Sequence, residues 1–223
     1  MVAPPPAAVG RFPCVLVTGF DAFGGQALNP SWMAAQALHG RLVAGHRLIG
    51  ARLPTAFGRS TEVLADLMHR HRPTLVLCAG QAGGRTALSL ERIAINVNDA
   101  RIPDNAGALP VDVPTVAGGP AGYFTTLPIK AMLLALLQEG INAEVSQTAG
   151  TFVCNHVFYW LMHQLATQAQ WQRTRGGLVH VPWLPAQGQP SMRLDEIVHG
   201  LRVAIECALT TLADVRQPAG ALA

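Results

Sequence analysis

Three short apolar runs constrain this chain more than anything else in it: CVLVTGF (Cys14–Phe20), TLVLCAG (Thr74–Gly80) and GLVHVPWLP (Gly177–Pro185). Each is nearly continuous in Val, Leu or Phe and ends at glycine or proline, the pattern of a strand covered on both faces. Such strands need helices above and below, and the segments between them supply candidates. NPSWMAAQALHGRL (Asn29–Leu42) reads as a helix with Pro30 in its first turn. Arg59–His71 is a second, stopped by Pro73, and Ile129–Gly140 a third, ended by glycine. A fourth helix opens near Cys154, and Leu194–Ala213 is a long fifth. Arg47–Pro54 and Ala143–Gly150 read as further strands, and Arg92–Asp99 alternates as another would. Asp99–Pro128, rich in Gly and Pro, is expected to be a functional loop with short hairpin strands. Strands alternating with helices predict a single-domain α/β/α sandwich with a mixed, mainly parallel twisted sheet.

The 223 residues suit one compact domain, and with half of them hydrophobic and 13% charged the main body is not expected to be disordered. A net charge of +3 with scattered arginines argues against nucleic acid. The one basic cluster, MHRHRP (Met68–Pro73), suits a helix C-terminus, where cations complement the dipole. Cys14, Cys78, Cys154 and Cys207 are far apart and show no CxxC spacing, so neither a disulfide framework nor a zinc site is expected. The Pro-rich start lacks the features of a secretory signal, and no apolar run reaches transmembrane length. A protein of the reducing cytoplasm, with no membrane partner, is the expectation. The glycines of GFDAFGG do not form a GxGxxG phosphate fingerprint, and no Walker loop is present.

In α/β sheets working groups gather at the carboxyl ends of strands. Cys154 follows the strand near Ala143–Gln147 and opens a helix, whose N-terminus favours thiolate. His180 lies within GLVHVP, and Glu91 follows the glycine-rich turn at Gly80. Together these residues can act as nucleophile, base and orienting carboxylate. Each also has an ordinary reading. Cysteine is commonly a small buried hydrophobe, as Cys14, Cys78 and Cys207 are read here. His180 is one of eight histidines, and Glu91 has Arg85, Arg92 and Arg101 as alternative partners. Phe20 and Phe23 equally suit an ordinary core. The residues alone lead to an α/β protein with a possible thiol hydrolase site.

The segments GQAGGRTALSLERIAIN (Gly80–Asn96) and VSQTAGTFVCN (Val145–Asn155) resemble the glutamate and cysteine signatures of the pyroglutamyl-peptidase I family. VTGFDAFGG with NPSW, RLPTAFG, NVNDARIPDNAG, VHVPWLP and PSMRLDEIVHGLRVAIE resemble that family in the same order, from about Cys14 to Leu212. The resemblance implies a phosphorylase/hydrolase-like sandwich at 13–214, with 1–12 a flexible leader and 215–223 a flexible tail. It implies a cysteine peptidase that removes an N-terminal pyroglutamyl residue from peptides, with no cofactor and no metal. By position it makes Cys154 the nucleophile, His180 the general base and acid, and Glu91 the residue orienting His180. Arg101 matches an arginine near the oxyanion site, with the Cys154 N–H as a second donor. Phe20, Phe23, Ile102, Phe152 and Val153 match an apolar ring pocket with Thr55 beside it. Gln81 matches a polar residue near the lactam, and Asn29 an asparagine near the site. Members form tetramers or dimers, some are monomers, and a homo-oligomer is the expectation. Two departures stand out: Trp183 where phenylalanine or another apolar residue is common, and Ala22 where proline is frequent, which would loosen the pocket turn. The competing readings are a nucleoside phosphorylase-like transferase, a non-enzymatic binder of pyroglutamyl peptides and a metal-dependent amidase.

Overall fold

A computed structural model describes residues 12–220. The leader expected at 1–12 and the last residues of the expected tail, 221–223, therefore lie almost wholly outside the described residues. The first apolar run is strand β1 (Cys14–Phe20), followed by helix α1 (Pro30–Leu38), strands β2 (Leu42–Val43) and β3 (His46–Leu53), and helix α2 (Arg59–His71). Strands β4 (Leu75–Gln81), β5 (Leu88–Glu91), β6 (Ile93–Ile95) and β7 (Gly122–Phe124) come next. Helix α3 (Ile129–Gln138), strand β8 (Ala143–Ser146), helix α4 (Val153–Thr167), strand β9 (Arg175–Val181) and helix α5 (Leu194–Thr210) complete the order.

Seven strands form one sheet in the order β2-β3-β1-β4-β9-β5-β8. The centre, β3-β1-β4-β9, is parallel. β2 is antiparallel to β3, and the β5-β8 pair runs antiparallel to β9. The three constraining runs are thus adjacent central strands, and residues of β1, β4 and β9 are buried from end to end apart from the first of β1 and of β9. One core cluster joins the sheet to α1, α3 and α5, and the other joins it to α2 and α4. Each cluster fills one face, which makes the sandwich.

Two expectations need correction. The first helix ends at Leu38, not Leu42, because a left-handed Gly40 turns the chain and Ala44–Gly45, both at positive φ, close a β2–β3 hairpin. The segment expected as one strand over Arg92–Asp99 contributes only β6, paired with β7 in a separate ribbon. The main-sheet strand is instead β5, in TALSLE, whose four buried residues carry too short an alternation to be read. The basic cluster does end a helix: His69, Arg70 and His71 fill the last turn of α2.

Pro128 provides no side-chain cap for α3, and the chain beyond α5 makes up for it. Asp214 accepts from the N–H of Lys130 at 3.1 Å and of Ala131 at 2.9 Å. Asp214→Ala is expected to lower stability by about 1 kcal/mol, as loss of an N-cap does, while Asp214→Asn keeps most of it. Urea unfolding of the two variants checks this.

Candidate active site

His180 is the penultimate residue of β9 and is 4% exposed. Its register partner on the parallel strand β4 is Gly80. Cys154, the second residue of α4, brings its thiol over that glycine. A Cβ on Gly80 would lie 2.8 Å from Cys154 Sγ, 3.0 Å from His180 Cδ2 and 3.1 Å from His180 Nε2. Sulfur and imidazole therefore converge on space that only glycine leaves open.

Glu91 too stands at the carboxyl end of its strand, but on one that runs against the central four. It ends β5, which is antiparallel to β9 with Ser89 opposite His180. Two residues along, Glu91 shares the face of Ser89 and is the diagonal neighbour of His180. Its side chain is fully buried, and Oε1 accepts from His180 Nδ1 at 2.7 Å and from Arg85 Nη1 at 2.8 Å. The alternatives of sequence resolve together: Glu91 holds both His180 and Arg85, while Arg92 turns to Gln147. A carboxylate only accepts, so the Nδ1 of a neutral His180 carries the hydrogen and its Nε2 presents a lone pair on the side of the thiol.

Residues 14–211 match the family profile described as pyroglutamyl peptidase. Pyrrolidone-carboxylate peptidase 1 of Ralstonia nicotianae is 54% identical over 215 residues, covering 94% of this chain and 99% of that relative. The chain belongs to the pyroglutamyl peptidase family. Among solved structures, pyroglutamyl peptidase I of Bacillus amyloliquefaciens superimposes with a TM-score of 0.90 at 43% identity, over 93% of this chain and all of that one. Pyrrolidone carboxyl peptidase of Thermococcus litoralis does so with a TM-score of 0.89 at 31% identity, over 92% and 99% of the two chains. Membership of the pyroglutamyl peptidase family makes the chain a cysteine-type peptidase, a hydrolase, and the sandwich is the fold of these relatives. Among the described residues no helix is long and apolar enough to cross a membrane.

The other residues expected at the site of this family member fall into four groups. Phe23 and Phe152 face each other with ring centroids 5.7 Å apart. Ile102 and Arg101 line a cavity of about 350 Å³ with Asp99, Thr151 and Phe152. Arg101 is exposed and makes no ion pair among the described residues. Phe20 and Val153 are instead fully buried in the core cluster against which Phe152 and Cys154 pack. Asn29 caps α1, and it and Thr55 both donate to the carbonyl of Asp21, at 2.9 and 2.8 Å. They hold the chain leaving β1 in place. Gln81 ends β4, and its Oε1 accepts from Gln187 at 3.0 Å.

Phe57 is a residue that the sequence reading missed. It stands edge-on to Phe152 with centroids 5.5 Å apart, and the aromatic in RLPTAFG was its only signal. The turn at Ala22 is not left loose. Asn105 donates to the Ala22 carbonyl at 2.9 Å, a bond proline would also accept. Trp183 has room because Gly83 lacks a side chain: a Cβ there would lie 2.3 Å from the indole ring.

The thiol does not behave as its helix position alone suggests. Burial, with the Glu91 carboxylate and the Cys78 thiol adding to it, pushes Cys154 up to about 12. Arg85 and the Cys154 N–H pull the other way and are outweighed. The resting thiol is therefore protonated, and a base must take its proton. No side chain caps α4, so its first N–H groups remain available to an acceptor. Cys78, wholly buried, is likewise pushed up to about 12, as its reading as a packed thiol requires.

His156, two residues beyond Cys154 in α4, ties two loops together. Its Nε2 accepts from the N–H of Gly58 at 3.1 Å, and Nδ1 lies 3.1 Å from Asn98 Oδ1. Burial lowers it from 6.5 to about 4. The folded state thus resists a proton that the unfolded state accepts, so its contribution is fully present above 6.5 and is lost as pH falls toward 4. That gap corresponds to about 3 kcal/mol. Denaturant unfolding from pH 7 to pH 4 should show this loss, and His156→Gln should flatten it.

Proposed function

We propose that this enzyme hydrolyses the bond after an N-terminal pyroglutamyl residue, using Cys154, His180 and Glu91 through a thioester. The convergence of Sγ and Nε2 over Gly80, with Glu91 on Nδ1, is the observation that carries the reading. His180 Nε2 takes the Cys154 proton as sulfur attacks the pyroglutamyl carbonyl. Glu91 stabilises the imidazolium. The Cys154 N–H and the exposed Arg101 guanidinium receive the oxyanion; losing one such donor typically costs about 3–4 kcal/mol of barrier. The imidazolium then protonates the leaving amine, and the C–N bond breaks to leave the thioester. Neutral His180 next takes a proton from water, whose oxygen attacks the thioester carbonyl. The acid leaves and the proton returns to sulfur.

The pyroglutamyl ring is a neutral lactam, so its site needs apolar walls and few polar groups. Phe23, Phe57, Phe152 and Ile102 supply walls, with Phe20 and Val153 as the packed layer behind them. Gln81 supplies polarity, while Thr55 and Asn29 hold the loop. A simple binder or a nucleoside phosphorylase-like transferase has no use for a thiol nucleophile, base and carboxylate in this relation. A cytoplasmic setting keeps such a thiol reduced, and Val111, Val113 and Phe124, exposed in or beside the long loop, suit contact in a dimer or tetramer.

The test is release of fluorophore from a pyroglutamyl amide against its prolyl counterpart, with acid-quenched protein analysed by mass. Turnover of the pyroglutamyl amide alone, with pyroglutamyl mass on the Cys154 peptide, is expected. Equal turnover of both amides, or none by folded and reduced protein, would reject the reading.

A further inference from the structure

The mechanism above leaves one buried ion pair unused. Arg85 stands in the glycine-rich turn between β4 and β5, with its side chain 27% exposed. It donates to the same Glu91 oxygen as His180 does, while Glu91 Oε2 has no partner among the described residues. Its other arm donates to the carbonyl of Thr148 at 3.3 Å, in the turn that leads from β8 to the nucleophile. One guanidinium therefore spans the carboxylate's strand and the approach to α4.

We infer that Arg85 is a positioning residue of this catalytic centre, holding Glu91 as a carboxylate against His180 and adding the positive field that assists thiolate formation at Cys154. The inference rests on the triad reading. A fully buried carboxylate needs a countercharge, and Arg85 is the permanent cation bonded to it. A planar fork can hold Glu91 and Thr148 at once, which a point charge on a flexible stem does less well. The groups facing this cluster are few. Cys154 is surrounded by Glu91, His180, Cys78 and Arg85, of which only Arg85 is a permanent cation. Glu144, on the neighbouring strand, is bound to Ser89 at 2.7 Å. Of the charges acting on the thiol, Arg85 is the one that opposes the upward push.

The experiment compares wild type, Arg85→Met and Arg85→Lys for kcat, KM and the pH dependence of iodoacetamide alkylation, read by mass on the Cys154 peptide. In Arg85→Met, kcat should fall at least roughly tenfold with KM within about threefold, and the alkylation curve should move up by about one pH unit. Arg85→Lys should restore the alkylation curve and only part of kcat. A purely structural role would lower melting temperature without moving that curve. Arg85→Met with kcat and alkylation curve both within twofold of wild type would overturn the inference, and so would a shift that lysine does not reverse. Absence of turnover by wild type, with alkylation still shifted in Arg85→Met, would overturn the peptidase reading and leave the action of Arg85 on the thiol standing.

Discussion

Cys154→Ser is expected to reduce kcat/KM for a pyroglutamyl amide by roughly 10⁴-fold or more, with the fold and the binding of substrate retained. The size follows from what stays behind. His180 and Glu91 keep their hydrogen bond, and the aromatic walls are untouched, so ground-state binding survives. A serine hydroxyl is a far poorer nucleophile than a thiol when the same imidazole must take its proton. The shorter C–O bond also draws the attacking atom back from the carbonyl. Because Cys154 is half-buried and serine nearly matches its shape, stability should change by no more than about 1 kcal/mol. Steady-state hydrolysis gives the first number, and calorimetric binding of a pyroglutamyl peptide gives the second. Activity within tenfold of wild type would remove Cys154 as the nucleophile and return attention to a water-based mechanism.

Much of this centre was legible because its residues sit where strong local signals lie. β1, β4 and β9 announce themselves as apolar runs, and α2 by its basic last turn. The convergence of Cys154 with His180 was only inferable through resemblance, because it depends on a parallel pairing across a hundred residues, Gly80 with His180. Glu91 was harder still, since a four-residue strand that reverses the sheet's direction has no periodicity to detect. The balance of effects on the thiol was beyond the sequence for a physical reason. A helix terminus acts locally and is visible in sequence, whereas desolvation is a property of everything packed around Sγ. Asn29 and Thr55 show the same limit from another side. The resemblance places them near the site, but their shared donation to the Asp21 carbonyl has no signal in the sequence.

Gly80→Ala is expected to lower kcat/KM by about 10²-fold or more while the protein still folds. Gly80 is not among the glycines at positive φ, so its backbone tolerates alanine, and conformational freedom is not what the position requires. What it requires is space. The added methyl would meet Sγ at 2.8 Å, closer than carbon approaches sulfur, and the His180 ring at 3.0 and 3.1 Å, tight enough that the ring must give. All three are side-chain atoms, so the clash can be relieved by rotation without moving the sheet. Either relief costs the reaction. Turning Cys154 away separates sulfur from its base, and turning His180 away strains the bond to Glu91. Displacement of a reacting group by about 1 Å is enough to cost two orders of magnitude. The loss should fall on kcat, with KM and the unfolding midpoint little changed. A crystal structure of the variant would show which side chain moved. An alanine variant with wild-type kcat would mean that the thiol and imidazole do not need the closeness seen over Gly80, and the proton transfer would have to pass through another group.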